Sequence, residues 1–136
     1  QVAGRHWPVP CAASQVALRD EKTIAAVATY IAALPKTDVK PAGKFDARNG
    51  NNLYQGKCGA CHGGQAEGNE ALSAPRLAGL DAAYLKRQHR NFSKGLRGAQ
   101  PHDRYGKQMA LMATTLASER ELDDVIGYIH AFEAAR

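Results

Sequence analysis

The pentapeptide Cys58-Gly59-Ala60-Cys61-His62 holds the residues of this sequence whose types and spacing can do chemistry. Two thiols in a Cys-x-x-Cys spacing, followed at once by an imidazole, form the attachment signal for a c-type haem. From a single helical turn the sulfurs can reach two vinyl groups of one porphyrin, and the adjacent imidazole points at the iron as proximal ligand. The sequence therefore predicts one covalent haem c, held by Cys58, Cys61 and His62. Two other chemistries use the same residue types. A dithiol redox motif would sit in a thioredoxin-like strand-helix-strand context, and no strand-like run flanks this one. A zinc site would need a second ligand pair, whereas the remaining cysteine, Cys11, stands far upstream without a partner.

The elements that must position this centre are those of a small chain. Its 136 residues, 44% hydrophobic and 23% charged, fit one domain plus an appendage. Aromatic residues make up only 7%, so a haem would add a large apolar disc to a modest core. The formal charge of +5 stays mildly basic even after haem propionates remove about two charges. No apolar stretch approaches the roughly 20 residues of a membrane span, and the N-terminus shows no basic-then-apolar leader. Because the chain begins with Gln1, a processed or truncated form is expected.

Helix signals dominate, and nothing suggests a sheet. Asp20 can cap a helix striped by Ile24, Val27, Tyr30, Ile31 and Leu34, which Pro35 ends. Lys36 to Lys44, with two prolines and a glycine, reads as a linker. A second helix is expected over Ala47 to Cys58, with Leu53 and Tyr54 inward, and a shorter one around Ala82 to Phe92. The last runs from Ser118 to Phe132, opened by Ser118 and Glu121 at capping-box spacing and striped by Leu122, Val125, Ile126, Ile129 and Phe132.

The two outer helices correspond. A shift of 98 positions lays Leu18 on Leu116, Glu21 on Glu119, Val27 on Val125, Tyr30 on Tyr128, Ile31 on Ile129 and Ala33 on Ala131. A period that long is a domain and not a solenoid unit. The chain is thus expected to divide into residues 1–42, an extension like the closing helix of a preceding domain, and residues 43–136, a complete haem-binding domain. Under the same shift Cys11 falls opposite Met109, and its expected role is that of a small buried hydrophobe.

Gly50, Tyr54, the Cys58 to Gly63 segment, Ala74-Pro75-Arg76-Leu77-Ala78-Gly79-Leu80, Tyr105-Gly106-Lys107-Gln108-Met109 and Tyr128 follow one another in an order that resembles a bacterial class I cytochrome c. With its tandem arrangement and the segment Gln108 to Ala113, the sequence is most similar to the two-haem c4-type branch. The resemblance covers about residues 43–136. It implies an all-α fold whose first and last helices cross, with the haem edge-exposed in a crevice and Gly50 and Tyr54 packing against Tyr128. It also implies that the Pro75 carbonyl accepts the proton of the proximal imidazole's other nitrogen, and that the protein is periplasmic, with its leader absent from this numbering.

The sixth ligand implied by the resemblance comes from Met109 or Met112, the two methionines present. Met109, seven residues before Leu116, matches the family position better, which leaves Met112 to pack against the haem or the core. His6, His89, His102 and His130 lie in polar or surface-like contexts, and His102 leads the bis-histidine alternative.

Lys86, Arg87, His89, Arg90, Lys94, Arg97 and Arg104 form the main basic run. It is either a solvated helix face or a docking surface that steers an acidic redox partner; nucleic acid is not an expected partner. The resulting expectation is an electron-transfer cytochrome, an electron carrier and not an enzyme, cycling between ferric and ferrous haem with His/Met ligation. The alternatives are a haem enzyme or ligand sensor with an open sixth position, and an electron-entry module of a larger redox complex.

Overall fold

The computed structural model describes residues 20–35 and 43–134. The chain divides between Thr37 and Asp38 into two units. In the first, helix α1 covers Glu21–Ala33. The Asp20 carboxylate accepts the N–H groups of Lys22 at 3.0 Å and Thr23 at 3.1 Å, satisfying donors that every helix start leaves open. Leu34 turns extended ahead of Pro35, and no residue of α1 is buried. Cys11 and His6 lie outside the described residues.

The second unit contains α2 (Ala47–Lys57), the short α3 (Gly59–His62), a 3-10 turn at Glu70–Leu72, α4 (Ala82–Ser93), α5 (Arg104–Ala113) and α6 (Glu119–Ala134). Its described residues contain no strand beyond an isolated antiparallel bridge between Asn69 and Ala74. Helix α5 is the element that apolar periodicity did not announce. Its start signal is Asp103, whose carboxylate accepts the Gly106 N–H at 2.7 Å.

The core lies where α2 crosses α6. Leu122, Val125, Ile126 and Ile129 are buried along one stripe of α6, and Tyr54 of α2 is wholly enclosed. The Tyr54 ring meets Tyr128 at 5.6 Å and Phe132 at 6.0 Å between centroids, both in the inclined geometry that aromatic quadrupoles favour. The backbones approach closely at Gly50, where a Cβ would overlap the Asp124 carbonyl and sit 2.9 Å from Tyr128 Cβ.

Asp124 holds the same crossing by polar contacts. Its buried carboxylate accepts the Asp46 N–H at 2.8 Å, the Asn49 amide at 2.9 Å and the Arg120 Nε at 3.2 Å. The Asp46 N–H first, then Asn49, hold this carboxyl below the usual carboxylate range. Asp46 in turn caps α2 through the N–H groups of Arg48 and Asn49, each at 3.0 Å.

Candidate haem site

Cys58 is both the C-cap of α2 and the start of α3, so the attachment pentapeptide is one extra helical turn set on the end of a longer helix. Gly63 then breaks the helix with φ of 84°, and the chain loops back beneath it. Main-chain bonds close the loop: Gly68 N–H to His62 O at 2.7 Å, and both Leu77 and Ala78 N–H to Ala66 O, at 2.9 and 3.1 Å. Ala66 is fully buried in the left-handed region at φ of 57°, a conformation the surrounding bonds impose. At Gly68, φ is 89° and a Cβ would lie 2.7 Å from the Arg76 nitrogen, so the close approach of the two loop arms requires glycine. Tyr54 ties this loop to the core, its hydroxyl donating to Gly63 O at 2.6 Å.

The loop delivers the Pro75 carbonyl to the buried His62 ring, with Nδ1 at 2.9 Å from the oxygen. A carbonyl can only accept, so Nδ1 carries the proton and Nε2 keeps its lone pair. Cys58 is half-buried and Cys61 exposed, and both thiols are free. Burial pushes the Cys58 thiol up to about 11. Two free thiols beside an imidazole whose tautomer is set by the main chain are the donor chemistry a covalent haem requires. Among the described residues no cluster of three or more His, Cys, Asp or Glu could hold a metal ion.

Met109 and Met112 lie on α5, which packs on α4, one turn apart. Met109 is half-buried and Met112 exposed at 37%. Of the two places expected for Met112, the haem or the core, its exposure leaves the haem.

The cytochrome c family model matches residues 47–133, from the start of α2 almost to the end of α6. The chain belongs to the cytochrome c family. The cytochrome is 36% identical over 87 residues to cytochrome c-554(547) of Halothiobacillus neapolitanus, covering 62% of this chain and 93% of that one. It is 34% identical over 91 residues to the thiosulfate dehydrogenase electron acceptor of Stutzerimonas stutzeri (strain A1501), covering 67% of this chain but only 38% of the relative. With its helical fold it is a bacterial class I cytochrome c, an electron carrier with covalent haem c and not an enzyme. No helix among the described residues is long and apolar enough to cross a membrane.

Around the centre of this cytochrome, the structure divides the basic run and the histidines into unlike groups. The basic run is not uniformly free. Lys86 Nζ lies 2.5 Å from Asp123 and 3.4 Å from Glu119, and Arg90 grips Glu119 with Nε at 2.9 Å and Nη2 at 2.6 Å. These two cations clamp α4 to α6, and Arg90 with Lys86 draws the Glu119 carboxyl down to about 2. Arg87, Arg97 and Arg104 instead lie over the rings of Tyr84, Phe92 and Tyr105, at 5.7, 4.4 and 5.7 Å.

The histidines also divide. His102 is exposed, whereas His130 is half-buried with Nε2 2.9 Å from the Leu80 carbonyl. His89 is half-buried and lines a cavity of about 240 Å³ with Ser93, Ala113, Leu116 and Leu122. Burial pushes its pKa below the ordinary histidine value. Sequence context read His89 as surface-like because the apolar walls of its cavity come from α5, α6 and the connection between them.

Proposed function

We propose that His62 and Met109 ligate the iron from opposite sides, that Cys58 and Cys61 hold the porphyrin as thioethers, and that the cytochrome shuttles single electrons in a bacterial periplasm. The observation that carries this reading is the 2.9 Å bond from His62 Nδ1 to Pro75 O, which leaves Nε2 as the metal-binding atom. Bound haem supplies an iron that takes up and returns one electron. The chain's own groups do the positioning. Pro75 O fixes the plane and tautomer of the imidazole, Tyr54 holds the loop that presents it, and Met109 offers a neutral, soft thioether that favours ferrous iron. Met109 is preferred to Met112 because it is the less exposed of the two and stands seven residues before Leu116, which packs on the core.

Intact mass and ligand variants test this. The native protein should carry one haem per Cys58/Cys61 pair that survives acid-organic extraction. Met109→Ala should abolish the sulfur-to-iron charge-transfer band of the oxidised protein and lower its potential, with Met112→Leu preserving both. The opposite pattern would move the ligand one turn along α5.

The Stutzerimonas relative is named as an electron acceptor of thiosulfate dehydrogenase, and the reading for this chain is the same kind of work: taking electrons from a dehydrogenase of a reduced sulfur compound. Arg87, Lys94, Arg97 and Arg104 would meet an acidic docking surface on that partner.

The 98-residue correspondence supports a domain reading as well. Residues 1–42 would then be the tail of a preceding haem domain and 43–136 a complete second one, as in the c4-type branch. Asp20 caps α1 where Ser118, whose hydroxyl oxygen accepts the Glu121 N–H at 3.2 Å, opens α6. Ile24, Val27 and Ile31 are exposed where their counterparts Leu122, Val125 and Ile129 are buried. The haem-to-chain ratio of the protein purified from its source decides it: two haems support the tandem reading, and one haem on a chain starting at Gln1 refutes it.

A further inference from the structure

Lys57 is the last residue of α2 and the immediate neighbour of Cys58. Its side chain donates from Nζ to the carbonyl of Thr115 at 2.7 Å, across 58 positions of sequence. That carbonyl belongs to the connection that follows the methionine-bearing helix α5. The end of α5 is closed by its own threonines: Thr114 and Thr115 hydroxyls donate to Leu111 O at 2.7 Å and Met112 O at 2.8 Å, and their N–H groups take the same two oxygens at 3.2 and 3.0 Å. Thr115 O is the next acceptor in line, and an ammonium there faces the negative end of the α5 dipole. On the far side of the connection Ala117 N–H donates to Glu121 at 2.8 Å, which fixes its entry into α6.

We propose that Lys57 is a positioning residue, a strap that holds the α5 end against the attachment turn and so sets how readily the sixth ligand leaves the iron. The proposal rests on the reading that Met109 is that ligand. The strap runs from the segment carrying one axial group to the segment carrying the other. Its loss would leave both ligand residues intact while loosening the distance between them.

The test uses the haem-loaded, oxidised cytochrome and imidazole as a competing ligand. Lys57→Met removes the donor, Lys57→Gln keeps a shorter neutral donor, and Lys57→Arg keeps a cation of similar reach. Lys57→Met should raise imidazole affinity by about tenfold, the size expected for one charge-assisted hydrogen bond, with Lys57→Arg near wild type. The sulfur-to-iron band should persist in all variants without imidazole. Unchanged imidazole affinity in Lys57→Met, with or without a lower denaturation midpoint, would overturn the strap. If Lys57→Met does not load haem, Lys57→Gln against Lys57→Arg gives the same comparison, and equal affinities there overturn it too. A wild-type protein lacking the sulfur-to-iron band would instead sink the Met109 reading on which the strap depends.

Discussion

Gly50 of α2 lies directly against the backbone of Asp124 of α6, so close that the two helices touch through main-chain atoms. The crossing places Tyr54, one turn further along α2, beneath the loop that carries Pro75 to His62. Helix packing and the orientation of the imidazole are therefore linked through a single ring.

Gly50→Ala should destabilise the haem domain by about 2–4 kcal/mol, because the added methyl must push α6 away along the whole core stripe. Chemical denaturation of the haem-loaded protein measures this. Stability within about 0.5 kcal/mol of wild type would mean that the crossing yields more easily than its contacts indicate.

Asp124→Ala should cost about 2–4 kcal/mol, since it leaves the Asp46 N–H and the Asn49 amide without their acceptor. The carboxyl titrates below its ordinary 3.8 in the folded protein, so its contribution is complete above pH 3.8 and fades as pH falls below it. Asp124→Asn should therefore show a shallower acid limb in a plot of stability against pH than wild type. An identical limb would assign acid sensitivity to other groups.

His89 works in the opposite sense from a salt-bridged histidine. Burial lowers its folded pKa below 6.5, so the folded state prefers the neutral ring, and stability is full above about pH 6.5 and declines as pH drops beneath it. His89→Leu places an apolar side chain against the cavity and should flatten the stability profile over the interval just below pH 6.5. Thermal denaturation across that interval would show the difference, and parallel profiles would remove His89 as the titrating group.

Charge reversal should separate the basic residues into two groups. Arg87→Glu with Arg97→Glu should slow electron transfer from an acidic partner at low salt and leave melting nearly unchanged, since exposed charges are screened beyond about 10 Å at about 0.1 M. Lys86→Glu with Arg90→Glu should lower the melting temperature, because it sets four carboxylates against one another at the α4–α6 contact. Stopped-flow rates beside calorimetry distinguish the two, and equal melting losses in both pairs would contradict the division.

The attachment pentapeptide was legible because its chemistry is local: five adjacent residues contain the whole donor pattern. Helix starts at Asp20 and Ser118 were legible for the same reason, each cap lying within three residues of the groups it serves. Asp124 was not, since an acid on an amphipathic helix reads as a surface charge until Asp46 and Asn49 arrive from α2. Lys86 and Arg90 looked free because their partners stand far along the sequence, at Glu119 and Asp123. Helix α5 escaped notice because Gly106 weakens its first turn and its few apolar residues do not repeat cleanly.

The acceptors that shape the haem loop and hold the α5 end are main-chain oxygens: Pro75 for the imidazole, Gly63 for the tyrosine, His62 and Ala66 for the returning arm, and Thr115 for the lysine. An acceptor of this kind has no codon of its own. Replacing the residue that owns it changes a side chain and leaves the oxygen in place, provided the chain path survives. The surroundings of the iron can thus drift far in sequence with little change in the contacts that aim its ligand. Selection then falls on the few donors and on the glycines that permit the path.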